Sequence, residues 1–450
     1  MTPAPPTYAR RLGLPSATLL VVGGIIGSGI FLNPAVVARR VGTAPLTMVA
    51  WGLGAGIAIL GAFIFAELGA RRPDAGGGYA YLRDAFGPLP AFLYGWALLL
   101  AIASGAVAAV AVTFATYLAA LLGLDAALVR PIACAAIALV SVVNGFGVAP
   151  GAMVQNVFTV LKLVAIAGLV LVGLGAVGAP VSAVATAAVP MVPAVPHGAL
   201  AVAVALGTAL VPVLFAYGGW QQTNFVAEEM VDPRRDLPRA LILGVVIVAA
   251  AYLSVNLTYL RALGVEGLAA STAPAADAMA LRLGEAGRRL IAVGIAISTG
   301  GFLNVVILVT PRVYQAMARD GVFFRGLAVL HPRTRTPVRA IGLQGAWSVA
   351  LVLSGGYADL LDWVTFADWI FFGLTAATLF VYRRRAAAAP YRAPGHPWTT
   401  ATFVLAAAYV VLGAVVSNPM NAVRGTLMLA AGVPAYAWWR RGETRSHVTA

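Results

Sequence analysis

Apolar residues run along this chain in long blocks separated by short polar connections, a pattern of helices buried all round rather than amphipathic surface helices. A helix crossing the hydrocarbon layer of a membrane needs about 20 apolar residues. The blocks predict twelve spans, at 15–36, 43–70, 91–122, 128–148, 154–177, 199–226, 240–260, 289–311, 338–356, 360–382, 399–418 and 421–439. The stretch 163–227 contains no Asp, Glu, Lys or Arg, and it divides at Pro190, Pro193 and Pro196, which predict a loop between two spans. The first block is too long, and too soon followed by another, to be a cleaved signal peptide. The longest polar connections, 71–90, 227–239, 261–288 and 312–337, are too short for a folded soluble domain.

Composition agrees. Of 450 residues, 61% are apolar and 10% charged, against roughly 25% charged in soluble domains. That excludes a soluble globule and a disordered chain, and the single cysteine, Cys134, excludes a disulfide scaffold. The net charge of +14 needs no nucleic acid to explain it. With the N-terminus in the cytoplasm, 21 arginines fall on cytoplasmic segments and eight outside, with Lys162 completing the thirty basic residues. This puts both termini inside and favours an even number of spans. Four histidines and one cysteine form no catalytic or metal-binding constellation, and His197 stands alone. No Walker-type loop or nucleotide fingerprint occurs. No enzyme activity, metal or organic cofactor is expected.

Two spans are interrupted. The first contains Gly23, Gly24, Gly27, Ser28 and Gly29; the sixth contains Gly218 and Gly219, with Pro212 before them and Gln221, Gln222 and Asn224 after. Glycine weakens a helix, and proline removes a backbone donor. Close packing through small residues is the plainer reading of one such span. Paired interruptions five spans apart instead predict an inverted repeat with the binding site at the breaks. A broken helix exposes N–H groups at one end and carbonyls at the other, which suit a carboxylate and an ammonium group. An amino acid presents both.

The chain resembles the amino acid–polyamine–organocation superfamily, and within it the bacterial L-type amino acid transporters and related permeases. The likeness rests on Gly27-Ser-Gly-Ile-Phe31, on Phe215-Ala-Tyr-Gly-Gly-Trp220 followed by Glu228-Glu229, on Glu67 leading to Gly76-Gly-Gly78, on Arg312 with Arg319-Asp320-Gly321, and on Tyr391-Arg-Ala-Pro-Gly395. Pro311 before Arg312 departs from the pattern. The resemblance implies an all-α polytopic fold of twelve transmembrane helices. These are a five-plus-five inverted repeat with discontinuous helices 1 and 6, plus two peripheral helices. The boundaries are a tail at 1–14, repeats at 15–177 and 199–382, peripheral helices at 399–439 and a tail at 440–450. It implies that a substrate carboxylate meets N–H groups around Gly27, Ser28, Gly29 and Ile30. The ammonium would meet carbonyls near Ile25, Ile26, Phe215, Ala216 and Gly218, with Phe215 or Tyr217 partly closing the pocket. It also implies a bacterial inner-membrane location; Cys134, near the outer half of the fourth span, gives no clear extracellular tethering site, so a chain that works without an obligatory protein partner is expected.

Lys162 is costly inside a span unless paired, or unless it snorkels to the interface. By resemblance it points at the broken first helix, onto carbonyls of Gly23 or Ile26, where sodium-coupled relatives place an ion. Glu228 and Glu229 are read as gate residues with Arg319 or Arg72. Asp368, well inside the tenth span, is a functional candidate by default. No acid sits mid-span in helices 1, 3, 6 or 8, so neutral L-amino acids are favoured, and Lys162 in the place of the ion argues against sodium coupling, leaving sodium-independent exchange as the preferred mechanism. Asp368 keeps cationic amino acids or polyamines as an alternative. Proton-coupled symport is another; a receptor or membrane enzyme is the alternative of a different class.

Overall fold

The computed structural model describes residues 7–174, 196–355, 357–386, 388–417 and 419–448. Pro190, Pro193, the last residues of the predicted fifth span and both extreme ends of the chain lie outside the described residues.

The described chain is all helical. In order it forms α1 (Leu14–Ile25), α2 (Gly29–Val41), α3 (Ala44–Arg71), α4 (Gly78–Phe86) and α5 (Pro88–Ala97). A π-helical turn at Leu98–Ile102 leads into α6 (Ala103–Leu122), followed by α7 (Val129–Gly145), α8 (Val148–Leu174) and α9 (Ala199–Tyr217). A 3₁₀ segment, Trp220–Glu229, precedes α10 (Pro233–Ala270), α11 (Pro274–Val309) and α12 (Pro311–Arg319). The last four are α13 (Val338–Ser354), α14 (Tyr357–Arg385), α15 (Trp398–Ser417) and α16 (Pro419–Val448).

Among the described residues, eight helical stretches are long and apolar enough to cross a membrane, nine if the bent pair α1–α2 counts as one span. The protein is therefore polytopic. Its outer surface agrees: Leu139, Val142, Val164 and Leu171 stand exposed on α7 and α8, where only lipid makes large apolar side chains inexpensive. Connection 261–288 was expected as a polar loop, yet it is largely helical, with α10 and α11 running into it. Arg261, Glu266, Arg282 and Glu285 hide those turns from a hydropathy count without preventing helix formation.

Local chemistry sets the helix starts. Thr43 Oγ1 accepts from Leu46 N at 3.4 Å with Pro45 in the first turn of α3, and Asp232 Oδ1 accepts from Arg235 N at 3.4 Å before α10. The helices pack in two sets. Helices α1, α2, α3, α9 and α10 contact one another, as do α6, α7, α11 and α13. Helix α8 joins the sets through α1 and α11, and α14 lies against α6, α15 and α16.

Candidate functional site

Both predicted interruptions are present. Helix α1 stops at Ile25 and α2 starts at Gly29, with a 44° bend between them. Helix α9 stops at Tyr217, and Gly218 leaves in an extended conformation. Gly219 then takes φ +107, a left-handed conformation that glycine alone adopts freely. The two breaks touch: a Cβ on Gly219 would sit 2.1 Å from Gly24 O.

Side chains from three other helices hold the freed carbonyls. Lys162 Nζ of α8 donates to Ile26 O at 2.7 Å and Gly23 O at 3.2 Å. Ser298 Oγ of α11 donates to Gly27 O at 3.1 Å and Ile26 O at 3.3 Å. Tyr252 OH of α10 reaches Ile25 O at 3.2 Å and Ala216 O at 3.3 Å, tying one break to the other. Each carbonyl oxygen has two lone pairs, so these bonds leave acceptor capacity.

The breaks open on a cavity of about 290 Å³, near the lower end of ligand pockets, roughly 300–1,000 Å³. Of the residues named from sequence, Ile25, Gly27, Ser28, Gly29, Phe215, Ala216, Gly218 and Asp368 line it. Ile26 and Ile30 are buried outside the lining. Tyr217 does not close the pocket: its ring packs on Trp51 and Tyr252, with centroids 5.8 and 5.1 Å away. Phe215 lines the cavity and is 42% exposed. Lys162 supports the broken helix from outside the lining.

Glu228 lies away from the cavity. Its carboxylate accepts from Ala75 N at 3.2 Å and stands 3.7 Å from Arg319 Nη1. Glu229 is paired with neither expected partner. It forms a fully buried ion pair with Arg312 at 2.7 Å, while Arg72 turns to Asp74 and Asp84. Around that pair the N-terminal segment packs against the 3₁₀ segment and α12. Arg11 N and Leu12 N donate to Glu229 O, Tyr8 OH donates to Gln315 Oε1 at 3.3 Å, and the Tyr8 ring lies 6.0 Å from the Arg312 guanidinium. Burial pushes the Tyr8 phenol well above its usual range, which keeps it a neutral donor. The described C-terminal helix reaches the same face, where Trp439 packs on Phe323 and Phe324.

Sequence reasoning missed Asn33, Gln222, Phe302 and Phe372 as wall residues, and Tyr252 as the tie between breaks. Asn33 sits one turn beyond Gly29 and donates to Pro212 O at 2.8 Å, so its spacing from the glycine run was the available signal. Nothing local marks Tyr252.

Comparison with known proteins matches residues 12–436 to the family described as amino acid permease. The human b(0,+)-type amino acid transporter 1 is 31% identical over 427 residues, covering 93% of this chain and 85% of the relative. The mouse Asc-type amino acid transporter 1 is 30% identical, covering 96% and 82%. The human large neutral amino acids transporter small subunit 2 is 30% identical, covering 95% and 80%. These findings correct three expectations. The matched relatives are mammalian, so neither the bacterial L-type subgroup nor a bacterial inner membrane stands; a multi-pass membrane protein does. Glycine runs and charged residues at helix ends carry no address for one membrane over another. Nor does the expectation of no obligatory partner stand, since a matched relative is itself named a small subunit of an assembly. An intramembrane site says nothing about a partner outside it. The chain belongs to the amino acid permease family and is a polytopic helical transporter, not an enzyme, that moves amino acids across a membrane by secondary transport.

Proposed function

We propose that this chain carries L-amino acids by alternating access, in a twelve-span architecture of two inverted five-helix repeats and two peripheral helices. The contact of the two breaks at Gly24 and Gly219, over a cavity sized for one small ligand, carries this reading. The α-carboxylate takes the N–H groups that open α2, around Ser28, Gly29 and Ile30, which have no partner in the preceding turn. The α-ammonium takes the remaining lone pairs of carbonyls at Ile25, Phe215, Ala216 and Gly218. Lys162 Nζ occupies the Gly23 and Ile26 carbonyls, which supports sodium-independent transport. Exchange and proton-coupled symport share this geometry, and the assay below separates them.

A specific observation extends the substrate range beyond neutral side chains. Asp368 is the one carboxylate in the cavity lining, among the described residues, and no Lys or Arg lines it. The side-chain carbonyl of Gln222, also in the lining, has no hydrogen-bond partner among the described residues. A basic side chain would meet both acceptors.

The test is uptake of radiolabelled leucine, alanine and arginine by purified protein in liposomes. Vesicles are loaded with or without amino acid, at fixed pH and across a proton gradient. Uptake requiring internal amino acid establishes exchange; gradient-driven accumulation into empty vesicles establishes symport. Asp368→Asn is expected to impair arginine uptake and spare leucine. Failure to take up any amino acid under either condition overturns the proposal.

A further inference from the structure

Beside the substrate site runs a line of buried polar side chains that the transport reading leaves unused. Asn144 of α7 donates from Nδ2 to Asn304 Oδ1 of α11 at 3.0 Å. Asn304 Nδ2 donates to Gln155 Oε1 of α8 at 3.1 Å and to Gly151 O at 3.1 Å. Gln155 Nε2 donates to Thr159 Oγ1 at 3.1 Å, and Thr159 Oγ1 donates to Leu19 O of α1 at 3.2 Å. All four side chains are fully buried. Every donor points the same way, from the α6–α7–α11–α13 set toward the broken helix. Bonds in such a chain polarise one another.

The end of the line is a bearing surface. Gln155, Thr159 and Lys162 are spaced i, i+4, i+7 and share one face of α8. That face meets α1 so closely that a Cβ on Gly23 would lie 2.0 Å from Gln155 Nε2 and 2.5 Å from Thr159 Oγ1. One turn further along, Lys162 holds the carbonyls at the break. Helix α1 follows directly on the N-terminal segment whose Arg11 and Leu12 N–H groups donate to Glu229 O.

We propose that Asn144, Asn304, Gln155 and Thr159 are positioning residues forming a seat that fixes α1 in the state closed to the termini face. The inference rests on the alternating-access reading above. In that cycle Asn144, Asn304 and Gln155 stay bonded to one another, and the Thr159–Leu19 bond is the one that breaks when α1 leaves. The seat therefore sets the equilibrium between the two facing states, and the substrate touches none of it.

Thr159→Val keeps the shape and removes the donor to Leu19 O; the Gln155–Thr159 bond, within α8, is lost in both facing states and cancels from their ratio. Loss of one buried hydrogen bond, about 1 kcal/mol, shifts a two-state equilibrium by roughly three- to tenfold. A shift toward the state open to the termini face raises the half-saturating substrate concentration on the opposite face and lowers it on the termini face. General loosening of the fold does not move the two in opposite directions. The measurement is uptake kinetics from each side, in vesicles of one orientation. Thr159→Ser restores the hydroxyl and is expected to restore both values. Asn144→Leu, which touches neither α1 nor the cavity, is expected to shift both in the same sense as Thr159→Val by a smaller factor. A second readout needs no transport: a cysteine at Gln222 in a Cys134→Ala background, labelled from the termini face. Its labelling is expected to quicken three- to tenfold with Thr159→Val. Equal or parallel changes on the two faces, an unimpaired Asn144→Leu protein, or unchanged labelling overturns the seat. Absence of uptake by the unaltered protein, with labelling still responsive, overturns the transport reading and leaves the seat standing.

Discussion

The contact between the two breaks offers the sharpest test of the site. Gly219→Ala places a methyl group 2.1 Å from Gly24 O, where ordinary contact begins at 3.4 Å, so the breaks must separate by about 1.3 Å. Backbone atoms lie on both sides, and no flexible side chain can yield. The residue also stands at φ +107, where a Cβ costs about 1–2 kcal/mol. Overpacking adds about 1–3 kcal/mol. If the sum, about 2–5 kcal/mol, falls on the transport-competent arrangement, the rate drops roughly 30-fold to 5,000-fold, at about 1.36 kcal/mol per tenfold. The assay is initial-rate uptake of radiolabelled leucine in liposomes, beside a thermal melt of the same preparation. Gly56→Ala, with nothing within 4 Å, controls for alanine as such. A Gly219→Ala protein transporting within threefold of the unaltered chain would refute the claim that this approach is needed.

Lys162→Met keeps bulk and removes the donor to Gly23 and Ile26; hydrogen bonds from charged groups contribute about 1.5–3 kcal/mol, so uptake should fall at least about tenfold while the protein still purifies as a folded species. Glu229→Gln strands the buried Arg312 charge, a loss of about 3–5 kcal/mol. Its melting temperature should drop, and adding Arg312→Met should recover part of it; a double variant no better than the single one would argue against the ion pair as the cause. Glu67 is buried and accepts from Arg71, Arg383 and Ala393 N, at 2.7, 2.5 and 2.7 Å respectively for the shortest contacts. Glu67→Ala should free the segment beyond α14, so trypsin should cut after Arg384, Arg385 or Arg392 sooner than in the unaltered protein.

Local features were legible in the sequence. Long apolar blocks dictate membrane helices whatever surrounds them, because an unsatisfied backbone is too costly in lipid. Gly27, Ser28 and Gly29, and Gly218 with Gly219, mark the breaks because glycine acts through its own backbone. Asp368 stood out as an acid inside an apolar run. Folding decided the rest through residues distant in the chain. Glu229 and Arg312 are 83 positions apart, and no hydropathy pattern chooses Arg312 over Arg319 or Arg72 as its partner. Tyr217 turned to Trp51 and Tyr252 rather than to the cavity because helix rotation, set by packing, assigns each side chain its wall. Asn144, Asn304 and Gln155 lie on three different helices, which had to converge before they formed a line. Periodicity is a property of neighbours along the chain, whereas charge pairing, pocket walls and buried polar networks are properties of neighbours in space.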